Sequence, residues 1–296
     1  MYLEHFSLKE MPFAITPGTA FVFASRAHQE ALNTLLVAVQ GGEGFVKITG
    51  EVGTGKTVLC RRFLDILNRR GIATAYVPNP AMQPATLLLA LANELGIRMN
   101  ADVDEYSLHK RINQALMRVA ERGSSVVVCM DEAQSMPLET LEAVRLLSNL
   151  ETEKRKLLQL VLLGQPELDD KLHQHSLRQL HQRITFEYAL GGLSLRETDR
   201  YVAHRLAVAG YNGPDLTTSA SIRLLHQASG GVPRLINILC HKALLSVFGE
   251  GGHVILPRHI RAAASDTGAA RALGFLPVWL TQPRAWTGAV LGRESQ

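Results

Sequence analysis

The sequence predicts an α/β fold: a five-stranded parallel sheet flanked by helices, followed by a small all-α domain. Two observations predict it. Between about residues 45 and 190, short β-type runs alternate with helix-length patterns, the order of a parallel sheet covered on both faces. After residue 190 the β-type runs stop and capped helical stretches take over.

The first strand is Phe45-Val46-Lys47-Ile48-Thr49, followed by a glycine-rich turn and the amphipathic segment Val58 to Leu67. Ala73 to Val77, Val126 to Met130, Leu158 to Leu163 and Ile184 to Tyr188 supply the other four strands. Helical patterns over Pro84 to Leu95 and Tyr106 to Glu121 lie between the second and third. In the latter, Leu108, Ile112, Ala115, Leu116 and Val119 recur at helical spacing. Ser194-Leu195-Arg196-Glu197 is a capping box. It opens a helix that ends near Gly210, a C′ glycine. Thr218 to Ala228 and Pro233 to Phe248 follow, the second with proline at its first position, and a short last helix starts at Pro257. The expected division is an α/β domain over 1–190, including an N-terminal segment 1–44, then a helical domain over 191–266 and a tail over 267–296. The charge-dense stretch Glu151 to Lys156 reads as a solvated loop.

Composition narrows the classes. The chain has 296 residues, 46% hydrophobic and 20% charged, the balance of a folded protein rather than a disordered one. Its three cysteines, Cys60, Cys129 and Cys240, are odd in number and widely spaced. That excludes a disulfide framework or a cysteine zinc site, and the histidines show no metal-ligand spacing. With 31 Lys+Arg against 27 Asp+Glu the net charge is +4; without a clustered basic face this does not point to nucleic acid. No segment reaches the ~18 consecutive apolar residues of a membrane span. Met1-Tyr2-Leu3-Glu4-His5 lacks the basic start of a signal peptide. The expectation is a cytoplasmic protein with reduced thiols.

The chemistry is carried by Gly50-Glu51-Val52-Gly53-Thr54-Gly55-Lys56-Thr57, which fits G-x-x-x-x-G-K-[ST] at every fixed position. Glycines let backbone amides turn inward around an anion, and a helix N-terminus adds its dipole. Lys56 would neutralise the β/γ phosphates and the Thr57 hydroxyl would ligate Mg²⁺. Together with Val58, these residues form the candidate nucleotide site of a P-loop NTPase. Ser125-Val126-Val127-Val128-Cys129-Met130 is an apolar strand ending in Asp131-Glu132. In a parallel sheet the strand ends line the ligand crevice. Asp131 would hold Mg²⁺, and Glu132 would accept a proton from an attacking water. The acidic pair favours hydrolysis over transfer to a small molecule. Gln165, at the end of the strand expected between the acidic strand and the phosphate-loop strand, either orients that water or caps the Pro166-Glu167 turn. Arg178 and Arg183 flank a helix leading into the fifth strand. An arginine there can reach a neighbouring subunit's nucleotide or form an ordinary ion pair, and Arg183 is the first choice. Arg234, in Gly230-Gly231-Val232-Pro233-Arg234, would touch the γ-phosphate from above or serve as a helix-start salt-bridge partner. The region around Pro12, Phe13 and His28 reads as a wall for the base.

The phosphate loop, Asp131-Glu132, Gln165, a pre-strand arginine and a lid arginine together resemble an AAA+ ATPase. With Pro12-Phe13, Asp131-Glu132-Ala133-Gln134, Gly164-Gln165-Pro166-Glu167-Leu168, Gln182-Arg183-Ile184 and Gly231-Val232-Pro233-Arg234-Leu235-Ile236-Asn237, the chain resembles the ExeA-type ATPases that accompany type II secretion and type IV pilus systems. Leu150 to Leu158 and Tyr201 to Tyr211 are most similar to the MshM-type branch serving mannose-sensitive haemagglutinin (MSHA) pilus biogenesis. The resemblance extends from Met1 to about Asp266. It implies an AAA+ fold with a helical lid, ATP and Mg²⁺ as ligands, ATP hydrolysis, assembly into a homo-oligomer, and inner-membrane components of a pilus or secretion system as partners. It also implies a peripheral position at the inner membrane. ExeA-type secretion proteins continue into a transmembrane segment and a peptidoglycan-binding domain. This chain stops short of both, so direct peptidoglycan binding is not expected.

Two other functions compete. A DNA-associated ATPase of the transposition-regulator type would need a recognition helix or basic stripe, and the sequence offers neither. A nucleotide-gated scaffold with little turnover would bind ATP tightly and hydrolyse it negligibly. The acid-free stretch between Asp266 and Glu294, with Trp279 and Trp286, reads either as a segment that docks on a partner or a membrane surface or as a tail that folds on its own domain or stays disordered.

Overall fold

The computed structural model describes residues 2–14, 21–97, 104–151 and 156–271. The tail tryptophans and most of the Glu151–Lys156 loop lie outside the described residues. Five parallel strands, β1 (Phe45–Thr49), β2 (Ala73–Val77), β3 (Val126–Met130), β4 (Leu158–Gly164) and β5 (Ile184–Ala189), form one sheet in the order β2-β3-β4-β1-β5. Residues of β1, β3 and β4 are buried throughout, as expected of central strands covered on both faces. Edge strand β5 instead alternates half-buried and exposed residues.

Alternation of side chains along each strand sends them into two separate cores. On one face Phe45, Val126, Val128, Leu160 and Leu162 pack with α3 (Pro84–Glu94), α4 (Glu105–Glu121) and α5 (Leu138–Leu147). The short helices α6 (Glu167–Leu172) and α7 (Arg178–His181) close this side. On the other face Val46, Ile48, Val127, Cys129 and Leu163 pack with α1 (Arg26–Gly41) and α2 (Lys56–Arg69). Lys47, only 3% exposed in β1, meets Asp169 Oδ1 at 2.5 Å and Glu187 Oε2 at 3.1 Å. Those carboxylates compensate the burial of its charge.

The helical part comprises α8 (Leu195–Val208), α9 (Ser219–Ser229), α10 (Pro233–Gly249) and α11 (Pro257–Ser265). Its predicted punctuation is present. Ser194 and Glu197 cap α8 reciprocally, Thr218 caps α9, and Pro233 opens α10. Glu197 Oε1 also accepts from the backbone N–H of Arg26 at 2.8 Å, tying α8 to the start of α1.

The first residues pack elsewhere than their place in the chain suggests. The sequence division puts residues 1–44 with the α/β domain, but Tyr2, Phe6, Leu8, Phe13 and Phe21 are buried in the same cluster as α8–α11. A helical unit this small buries only a limited apolar core by itself, and aromatic side chains from the N-terminus enlarge it.

Candidate functional site

The phosphate loop leaves the end of β1, held by the Gly50 N–H donating to Gly164 O of β4 at 3.1 Å. Gly53 and Gly55 adopt φ of +83° and +101°, the left-handed region that glycine enters without steric cost. Thr54 is buried and its hydroxyl donates to Glu51 O at 2.9 Å, while Glu51, Val52 and Val58 are exposed around the loop. Lys56 opens α2, is 5% exposed, and its Nζ donates to Gly50 O at 2.6 Å and Glu51 O at 3.1 Å. Burial pulls its pKa down, opposed by the nearby Glu132 and Asp131 carboxylates. The Thr57 hydroxyl donates to Asp131 Oδ2 at 2.6 Å, so residues 74 apart in sequence form one oxygen pair. Tyr76, on β2, donates to the same Oδ2 at 3.4 Å, and burial with the adjacent Asp131 charge pushes its pKa up to about 12.

Glu132 is in the left-handed region with φ +56°, an uncommon and costly conformation for a residue with a side chain. Its Oε2 accepts from Gln134 Nε2 at 2.6 Å and from Gln165 Nε2 at 3.2 Å. Gln134 Oε1 in turn accepts from the Gln165 backbone N–H at 3.0 Å. β4 lies between β1 and β3, as expected, so Gln165 follows the strand that separates the phosphate-loop strand from the acidic one. The sequence reading quotes Gln134 within Asp131-Glu132-Ala133-Gln134 but assigns it no role of its own. Lys171 of α6 donates to the carbonyls of Gln134 and Met136 and braces this turn from below.

The helical part closes the site from above. Arg234 N–H donates to Gly53 O at 3.3 Å, and a Cβ on Gly53 would stand 2.3 Å from Arg234 Cβ. Arg234 therefore sits on the phosphate loop. His28 sits on it too, its Nε2 2.6 Å from where a Gly55 Cβ would be; burial holds its pKa below the ordinary histidine value. Gly53→Ala is expected to cost about 1–3 kcal/mol, since alanine is strained at this φ and its methyl pushes α10 off the loop. Thermal unfolding checks the stability term, and a parallel nucleotide titration checks the weakened lid contact.

A cavity of about 390 Å³ runs from the loop to Phe21, Phe23, Tyr201 and Asn237, within the usual size of a small-ligand pocket. The wall expected from Pro12, Phe13 and His28 is redrawn. His28 lines the cavity, but Phe13 is buried in the helical core, and Phe21 and Phe23 take its place. Arg183 lies outside this constellation. Directly before β5, its Nη1 donates to Ser148 Oγ at 2.6 Å. The length of β5, about 20 Å at ~3.3 Å per residue, separates it from the loop end of the sheet. Arg178 is exposed on α7 nearby. Cys60, Cys129 and Cys240 are buried free thiols. No cluster of metal-ligating side chains occurs among the described residues. No helix among them is long and apolar enough to cross a membrane.

A family described as "AAA domain" matches residues 39–172. Over 271 residues, 92% of this chain, the sequence is 43% identical to general secretion pathway protein A of Aeromonas hydrophila. The chain spans about half, 49%, of that curated relative's length. Among solved structures, Cdc6p from Pyrobaculum aerophilum superposes with a TM-score of 0.63 at 14% identity, covering 85% of this chain and 71% of its own. The Aeropyrum pernix ORC2 protein gives 0.62 at 16% identity, covering 90% and 73%. The Thermotoga maritima RuvB branch migration motor gives 0.54 at 14% identity, covering 82% and 69%. The chain thus has the P-loop AAA fold, matches the AAA domain over residues 39–172, and is similar to general secretion pathway protein A over 92% of its own length.

Proposed function

We propose that this protein is a Mg²⁺-dependent ATPase that works as a homo-oligomer on inner-membrane components of a type II secretion or MSHA-like type IV pilus system. One observation supports the reading most: Thr57 Oγ1 lies 2.6 Å from Asp131 Oδ2 beside a buried Lys56. A hydroxyl and a carboxylate facing one another make a hard oxygen donor pair, which suits Mg²⁺. These two residues would hold the ion, which when bound neutralises charge on the phosphates. Lys56 and the loop amides bind the β/γ phosphates, while Gln165 orients the attacking water. Glu132 takes the proton from that water on its carboxylate, and Arg234 links the phosphate end to the position of the helical lid.

Arg183 stands at the opposite end of β5 from its own loop, which supports a role on a neighbour's nucleotide rather than its own. Arg183→Ala and Lys56→Ala chains, each inactive alone, are expected to regain part of the wild-type hydrolysis rate when mixed, since one supplies the loop and the other the arginine. Release of phosphate is measured with Mg²⁺ and again with EDTA, which is expected to abolish it. A mixture as inactive as its components sinks the trans role. Isolation of the full chain from solubilised envelopes tests the partner assignment, and recovery of no secretion or pilus component contradicts it.

A further inference from the structure

The base end of the cavity contains a chain of polar side chains whose proton count is fixed. Arg205 of α8 is only 1% exposed. Its Nε donates to Pro12 O at 2.5 Å, its Nη2 to Ala14 O at 3.1 Å and its Nη1 to the Tyr201 hydroxyl at 3.1 Å. The guanidinium also lies 4.5 Å from the centroid of the Phe21 ring. A guanidinium only donates. The Tyr201 oxygen therefore accepts from Arg205, and its single proton goes to Asn237 Oδ1 at 2.9 Å. Burial raises the Tyr201 pKa, so the phenol keeps that proton at neutral pH. With its oxygen engaged, the Asn237 amide is oriented. Its NH₂ has no acceptor among the described residues, although Asn237 is 5% exposed and lines the cavity. That donor is not sealed from solvent: it opens into the cavity, where a ligand acceptor can take the place of water.

Position on the helix says what this donor meets. Asn237 follows Arg234 by three residues on α10, the same helix face and about 4.5 Å further from the phosphate loop. Phe21 stacks on Arg205 and Phe23 meets the Tyr201 ring edge at 5.6 Å, so the surroundings there are aromatic. We propose that the Arg205–Tyr201–Asn237 relay presents the Asn237 NH₂ as the base-reading donor of the site, bonded to a ring-nitrogen acceptor of the purine. This rests on the nucleotide reading of the cavity and adds a specificity residue to it. Because Arg205 also grips Pro12 and Ala14, the same relay ties the N-terminal segment to the base pocket.

The test uses the full wild-type chain with Mg²⁺ and measures dissociation constants for ATP, its 1-deaza, 3-deaza and 7-deaza analogues, and 2′-deoxy-ATP. Each deaza analogue replaces one ring nitrogen by C–H. One of them is expected to bind at least about tenfold more weakly than ATP, the effect of leaving a buried donor unpaired. In Asn237→Ala that analogue and ATP are expected to bind alike. ATP and all three deaza analogues binding equally to the wild type overturns the relay while leaving nucleotide binding intact. A loss with 2′-deoxy-ATP alone assigns the donor to the ribose and also overturns it. No binding of any triphosphate overturns the underlying reading as well. The wild-type comparison decides even if the variant fails to fold.

Discussion

Glu132→Gln is expected to leave ATP binding within about threefold of wild type and to lower the hydrolysis rate by about 10²–10⁴, the usual contribution of a positioned general base. The substitution is close to isosteric, and the amide oxygen can still accept from Gln134 and Gln165, which now hold Oε2 at 2.6 and 3.2 Å. The left-handed backbone at φ +56° is equally strained for either residue, so folding stability should stay near wild type. What disappears is the carboxylate lone pair that takes the proton. Filter binding or a fluorescent nucleotide measures affinity, and phosphate release measures turnover. A parallel loss of both would place Glu132 in ligand binding and contradict its role as a base. Retained turnover would move the base elsewhere.

Central strands β1 and β3 were legible because their positions are mostly apolar on both faces: the runs at 45–49 and 126–130 recur as strands with those bounds, as does the edge strand at 73–77. The loop and acidic pair were legible because phosphate binding at a strand–helix turn demands particular residue types. The long-range partners were not. Tyr2, Phe6 and Phe13 bear no local mark of the lid core they complete, since that burial depends on residues some two hundred positions away. Arg205 resembles any solvated charge on an amphipathic helix, yet it is 1% exposed, because its acceptors are the Pro12 and Ala14 carbonyls. Gln134 escaped for a related reason. Its two partners, Glu132 and Gln165, come together only when β3 and β4 pair in register. Helix α1 did carry local signals, Ser25 capping the His28 N–H and Gly42 at φ +74°; the helix between them lacks a motif that draws attention to it.

Lys56→Ala is expected to abolish measurable ATP binding rather than merely slow hydrolysis. In the folded protein the ammonium donates to Gly50 O of the loop and is opposed to Asp131 and Glu132. Removing it takes away the charge that meets the phosphates and leaves those carboxylates unopposed against a polyanion. At an effective dielectric of ~20, one charge pair at 4 Å is worth about 4 kcal/mol, roughly a thousandfold in affinity before the added repulsion. Stability need not fall with binding. Burial already pulls the Lys56 pKa down, a sign that the folded site disfavours the charge it contains, so the substitution removes an unfavourable desolvation along with two hydrogen bonds. The ligand-free variant should therefore unfold within a few degrees of wild type. Wild type with ATP at a hundred times its Kd should gain about 2.7 kcal/mol of stability, and the variant should gain none. A thermal shift by ATP surviving in Lys56→Ala would mean that the loop amides suffice to hold the phosphates, and would assign Lys56 to the reaction rather than to binding.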